Sequence, residues 1–108
     1  MQSVTTLTEE NFQTFVDQSC AFVDFYANWC GPCCALAPIL EKLAKDGVVP
    51  IGKMDVDTED AKAFLEQWEV RNIPTLLFFH NGTCIDRHVG SISEQDLVKK
   101  IAALKGNA

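Results

Sequence analysis

The sequence predicts an α/β fold in which a mixed β-sheet, parallel in its first part and finished by an antiparallel hairpin, is flanked by about four helices. Three observations lead there. Strand-length apolar runs alternate with segments whose apolar residues recur at helical spacing, the pattern of parallel crossover units. An Asn81-Gly82 pair separates two further strand-like runs, which marks a tight hairpin. A length of 108 residues, 47% of them hydrophobic and 22% charged, suits one domain over residues 1–108 around a single core.

Each element follows from local chemistry. Residues 4–7 are a short extended start. Thr8 can cap a helix with Glu9 and Glu10 in its first turn and Phe12, Phe15 and Val16 on its apolar face, ending near Ser19. Residues 21–26, Ala-Phe-Val-Asp-Phe-Tyr, are dense enough in apolar and aromatic side chains to be a strand buried on both faces. Asp24 is the misfit there, because a carboxylate among apolar neighbours must find water, a partner or a proton. After a turn over residues 27–32, Leu36, Ile39, Leu40 and Leu43 recur at helical spacing up to Gly47, with Pro38 predicting a bend rather than a break.

Residues 48–56 read as the next strand. Asp57 or Thr58 then caps a helix with Glu59 and Asp60 at its start and Ala61, Phe64, Leu65 and Trp68 on one face. Residues 75–79 and 83–89 form the hairpin, which also carries His80 and His88. Ser93 with Asp96 three positions on resembles a capping box, opening a last helix with Leu97, Ile101 and Leu104 inward.

Composition excludes several function classes. The formal net charge is −6 and the basic residues are scattered, so a nucleic-acid backbone would be repelled. The longest stretch free of acidic and basic residues, 25–40, is shorter than the roughly 20 residues a membrane span requires. The first ten residues hold Glu9 and Glu10, no Lys or Arg and no apolar core, so no secretory signal is expected and the expected compartment is the cytoplasm. The 5 cysteines are Cys20, Cys30, Cys33, Cys34 and Cys84, an odd number that leaves at least one thiol free. Clustered cysteines in such a chain point to metal or redox chemistry rather than structural cross-links.

Trp29-Cys30-Gly31-Pro32-Cys33 lies where the buried strand gives way to a helix. Two thiols three positions apart at a helix start can close a small, reversible disulfide ring. The unpaired N–H groups of that helix end favour a thiolate on Cys30. Thiols in such motifs are in general more acidic than free cysteine. Helix-end stabilisation of up to about 2 kcal/mol would bring a thiol from 8.5 to roughly 7. The thiolate fraction at neutral pH then rises about 15-fold while intrinsic nucleophilicity falls about 5-fold, a net gain of only a few-fold. Rapid disulfide reduction therefore also requires a docking surface beside Cys30.

Residues 23–33, with Asp24 and the Trp-Cys-Gly-Pro-Cys motif, together with Pro38, Lys53, Ile73-Pro74-Thr75 and Asn81-Gly82, resemble the thioredoxin family in order and spacing over essentially the whole chain. The resemblance implies a thioredoxin fold and a general protein-disulfide reductase, recycled by a thioredoxin reductase. It implies no cofactor beyond a redox-active Cys30–Cys33 disulfide, no metal, and a monomer acting on disulfide-containing target proteins. Cys30 matches the attacking nucleophile, Cys33 the resolving thiol, and Asp24 the buried carboxylate that takes the proton from Cys33. Lys53 matches the lysine near that carboxylate. Ile73-Pro74 matches a cis peptide facing the cysteines, and Trp29 and Gly90 match the rim of the substrate groove. Gly31 and Pro32, between the cysteines, resemble the pair of a reductant rather than that of an oxidase or isomerase.

Other readings stand beside these. The cysteines could be half of a zinc site, though zinc needs four ligands and the sequence has no second Cys-x-x-Cys. The fold could serve as a redox-switched binding clamp, or as an isomerase or oxidant. Cys34 departs from the family, which usually has a basic residue there. A Cys33–Cys34 bond would be strained and a Cys30–Cys34 bond would compete with resolution, so Cys34 is expected to be inert or partly buried. Cys20 and Cys84 read as bystanders.

Overall fold

The computed structural model describes residues 3–106. In chain order it contains β1 (Thr5–Thr6), α1 (Phe12–Val16), β2 (Cys20–Tyr26), α2 (Gly31–Lys45), β3 (Ile51–Asp55), a 3₁₀ turn (Glu59–Ala61), α3 (Lys62–Gln67), β4 (Thr75–His80), β5 (Thr83–Val89) and α4 (Glu94–Gly106). The strands form one sheet in the order β1-β3-β2-β4-β5. β1, β3 and β2 are parallel, and β4 and β5 are each antiparallel to the strand before them in that order. The alternation and the hairpin predict this mixed sheet.

The period-two alternation of the central strands divides the core into two layers. Phe22, Leu76 and Phe78 pack with Leu36, Leu40 and Leu43 of α2 and with Leu97, Ile101 and Leu104 of α4. Val23, Phe25, Leu77 and Phe79 pack on the opposite face with Phe12, Phe15 and Val16 of α1 and with Phe64, Leu65 and Trp68. Helices on both faces explain why β2 and β4 read as unbroken apolar runs. Asp24 lies two residues beyond Phe22 and so shares its face, the one covered by α2. That parity is what positions the site.

The hairpin turn places Asn81 at φ 49° and Gly82 at φ 85°, the left-handed pair that a two-residue turn of the right twist needs. Ser93 caps α4 as expected, its Oγ accepting the Asp96 N–H at 3.1 Å. α2 runs through Pro38 without interruption.

Two helix starts differ from the sequence expectation. Thr8 does not cap α1, whose N-cap position is Asn11: Thr8 Oγ1 accepts the Asn11 N–H at 3.3 Å, and Asn11 Oδ1 accepts the Thr8 N–H at 2.7 Å. The Asn11 amide also donates to the Thr6 carbonyl at 3.1 Å. These local bonds hold a turn, so α1 begins only at Phe12, without Glu9 and Glu10. At its other end the Gln18 side chain donates to the Phe15 carbonyl at 2.9 Å, and the helix stops at Val16 rather than near Ser19. Neither Asp57 nor Thr58 caps the third helix through its side chain. The Thr58 hydroxyl donates to the Asp55 carbonyl at 2.8 Å, the Asp57 carboxylate is taken by Trp29, and a 3₁₀ turn precedes α3.

Candidate active site

The chain leaves β2 through a turn closed by the Cys30 N–H on the Ala27 carbonyl at 3.2 Å. Cys30 then serves as the N-cap of α2, with an extended backbone, and Pro32 occupies the first turn, where its missing N–H costs nothing. The Cys33 N–H donates to Cys30 Sγ at 3.3 Å. One of the orphan donors of the helix end is thereby aimed at the sulfur. A disulfide joins Cys30 and Cys33, whose Cα atoms are 5.2 Å apart, a separation that such a bond spans readily. Both residues are buried, with Ala27, Tyr26, Val56 and Ile73 around them.

Behind the disulfide, Asp24, Cys33, Cys34 and Lys53 line one cleft of about 200 Å³. Asp24 is 4% exposed, and its Oδ1 has no hydrogen-bond partner. Burial pushes its carboxyl from the ordinary 3.8 up to about 7, against the lowering pull of Lys53. A carboxyl that titrates near neutrality can exchange protons with a thiol, and a cleft of this size has room for a water molecule. Lys53 sits opposite Asp24 in the β2–β3 ladder.

The rim comes from three loops. Ile73-Pro74 is a cis peptide, and Cys30 Sγ lies 3.9 Å from the Ile73 carbonyl oxygen. The Gly90 N–H donates to the Pro74 carbonyl at 2.8 Å, and the Thr75 hydroxyl donates to that of Asn72, so this loop is tied at both sides. A groove of about 200 Å³ runs between Trp29, Val56, Val70 and Ile73. A smaller one of about 80 Å³ lies between Pro32, Ile39, Pro74 and Ile92. Trp29 is 72% exposed and donates its indole N–H to Asp57 Oδ2 at 2.8 Å. Asp57, Val70 and Ile92 escape a sequence reading. Asp57 is 28 positions from Trp29, and its own neighbourhood marks it only as a candidate helix cap.

One expectation is corrected. Cys34 is exposed, not partly buried, because it follows the inward Cys33 on the helix and therefore turns toward the cleft; its thiol donates to the Asn28 carbonyl at 3.3 Å. Gly31 and Pro32 are exposed beside the disulfide. Cys20 and Cys84 are half-buried free thiols. Among the described residues no group of three or more His, Cys, Asp or Glu side chains is arranged to hold a metal, and no helix is long and apolar enough to cross a membrane.

Residues 3–103 match the family model described as Thioredoxin. The chain belongs to the thioredoxin family. Its members are thiol–disulfide oxidoreductases, and the Cys30–Cys33 disulfide is the redox centre that the family uses. A thioredoxin of Chlamydia caviae is 41% identical over 91% of this chain and 95% of its own. A thioredoxin of Staphylococcus aureus is 38% identical over 90% and 93%. Among solved structures, a mutant thioredoxin from Halobacterium salinarum superposes with a TM-score of 0.87 at 30% identity, covering 94% of this chain and 90% of that one. Thioredoxin F from spinach chloroplast gives 0.86 at 26% identity, over 96% and 95%.

Proposed function

We propose that residues 1–108 act as one domain that reduces disulfides in target proteins by a two-step exchange. Cys30 attacks a target sulfur, forming a mixed disulfide and releasing the other target sulfur as a thiol. Cys33 then attacks Cys30 Sγ, the mixed disulfide breaks, and the Cys30–Cys33 bond forms as the target leaves reduced. Asp24 takes up the Cys33 proton through a bridging water, Lys53 keeps the Asp24 carboxyl from rising further, and Gly31 and Pro32 tune the potential. Trp29, Ile73, Pro74 and Gly90 seat an extended target segment beside Cys30. A thioredoxin reductase restores the dithiol, and no cofactor besides the disulfide takes part. The chain works as a monomer in the cytoplasm.

The observation that carries this reading is an asymmetry. Cys30 takes the helix-end N–H and lies against Ile73 at the rim, whereas Cys33 lines the cleft that holds the buried Asp24. Attack from Cys30 and proton transfer at Cys33 are thereby separated in space. Cys33→Ser should accumulate mixed disulfides with target proteins, and Cys30→Ser should accumulate none. Equal trapping by both variants, read on non-reducing gels, would overturn the assignment.

A further inference from the structure

We propose that Cys34 is a modification site, at which a low-molecular-weight thiol held as a mixed disulfide closes the cleft between Asp24 and Cys33 and slows resolution. The inference rests on the role proposed above for Asp24. Cys34 is exposed, and it lines the same cleft as Asp24, Cys33 and Lys53. Asp24 lines the cleft and its Oδ1 is buried without a partner, so the carboxyl is left unsatisfied and can take an N–H donor that enters the cleft. An enclosed space of about 150 Å³ accepts a benzene-sized group, so a cleft of about 200 Å³ takes a cysteinyl-sized one.

Charge selects the occupant. Lys53 belongs to none of the ion pairs among the described residues, and it offers a cation to a carboxylate in the cleft. Glu41, also on the cleft, repels an anion from its own side. A thiol built on cysteine, with amide or amine N–H groups for Asp24 and a carboxylate for Lys53, satisfies both. The other free thiols compete poorly: Cys20 and Cys84 are half-buried where Cys34 is exposed, and burial pushes the Cys84 thiol up.

The step is a balanced exchange. The Cys34 thiolate attacks one sulfur of a low-molecular-weight disulfide; a bond forms between the two, the original S–S bond breaks, and the second half leaves as a thiol carrying the proton that Cys34 lost. Cys34 is oxidised and the departing thiol reduced, with the disulfide as the sole oxidant. Excess free thiol reverses it. While the adduct stays in place it displaces the water between Asp24 and Cys33, so a target captured by Cys30 is released slowly.

The test has two arms. First, the full chain with Cys30–Cys33 closed is exposed to oxidised glutathione and mapped by mass spectrometry. The adduct should form at Cys34 about tenfold faster than at Cys20 or Cys84; equal or slower modification of Cys34 overturns the proposal. Second, a Cys20→Ala, Cys84→Ala chain is alkylated at Cys34 with N-ethylmaleimide while the disulfide is closed, then reduced, which leaves the thioether. Stopped-flow kinetics should show unchanged capture by Cys30 and resolution slowed about tenfold. An alkylated chain that resolves at the unmodified rate overturns the gate. The same chain carrying Asp24→Asn should already be slow, and alkylation should slow it no further. If Asp24→Asn alone resolves at the normal rate, the proton-acceptor reading fails instead, and the gate through Asp24 fails with it.

Discussion

Asp24 and Lys53 are directly paired residues in the parallel ladder between β2 and β3, yet they make no salt bridge. The Lys53 ammonium lies over the Tyr26 ring, 5.9 Å from its centroid, and Asp24 Oδ1 is left without a partner. Desolvation therefore outweighs the attraction, and the carboxyl titrates near neutrality rather than in the ordinary carboxylate range.

This arrangement costs stability, and the cost depends on pH. The folded-state pKa of Asp24 is about 7 against 3.8 in the unfolded chain, so between those values the folded state holds one more proton than the unfolded state. Stability then falls as pH rises from about 4 to about 7, by about 4 kcal/mol in all, and stays low above that. Asp24→Asn should remove this slope. Denaturant unfolding of both chains across that range should show their difference growing with pH in favour of the variant, and a constant difference would refute a buried, ill-solvated carboxyl.

Lys53→Met should push the Asp24 carboxyl higher still, because it removes the cation that holds it down. The inflection assigned to Asp24 in the pH–rate profile of resolution should move to more alkaline pH. A shift to more acidic pH would contradict the electrostatic role given to Lys53.

Asp57→Ala should free the exposed indole of Trp29, which Asp57 now fixes by a hydrogen bond of 2.8 Å. Surface contacts of this type contribute about 1 kcal/mol or less to folding, so the unfolding midpoint should hardly move. Target capture should weaken a few-fold as the groove wall loses its fixed position, and Trp29 fluorescence should become more mobile by anisotropy. Unchanged capture with unchanged anisotropy would show that Asp57 does not hold the ring.

Gly52→Ala should destabilise the fold without touching the chemistry. A Cβ there would lie 2.8 Å from Leu7 Cδ1 and 2.9 Å from Phe15 Cε2, and both neighbours are buried. Overpacking of this kind costs about 1–3 kcal/mol, readable as a lowered denaturant midpoint. The rate of disulfide reduction per folded molecule should be unchanged.

Much of this was legible from residue order. The apolar runs of residues 21–26 and 75–79, the Asn81-Gly82 turn and the Ser93 cap are local signals, and the structure realises them as β2, β4, the hairpin and α4. The start of α1 was not, because Asn11 bonds with Thr8 and with the Thr6 carbonyl in a turn that keeps the backbone out of the helix until Phe12.

Residue order was enough to specify the alternation of elements, the thiol pair at a helix start and an acid misplaced in a buried strand, since each depends on neighbours a few positions away. Packing in three dimensions was needed to bring Asp24, Cys33, Cys34 and Lys53 into one cleft, to set Asp57 against Trp29 and to lay Ile73 against Cys30. Those contacts join residues far apart in the chain, and their geometry is set by how α2 and the loops pack on the twisted sheet, which no local pattern of side chains encodes.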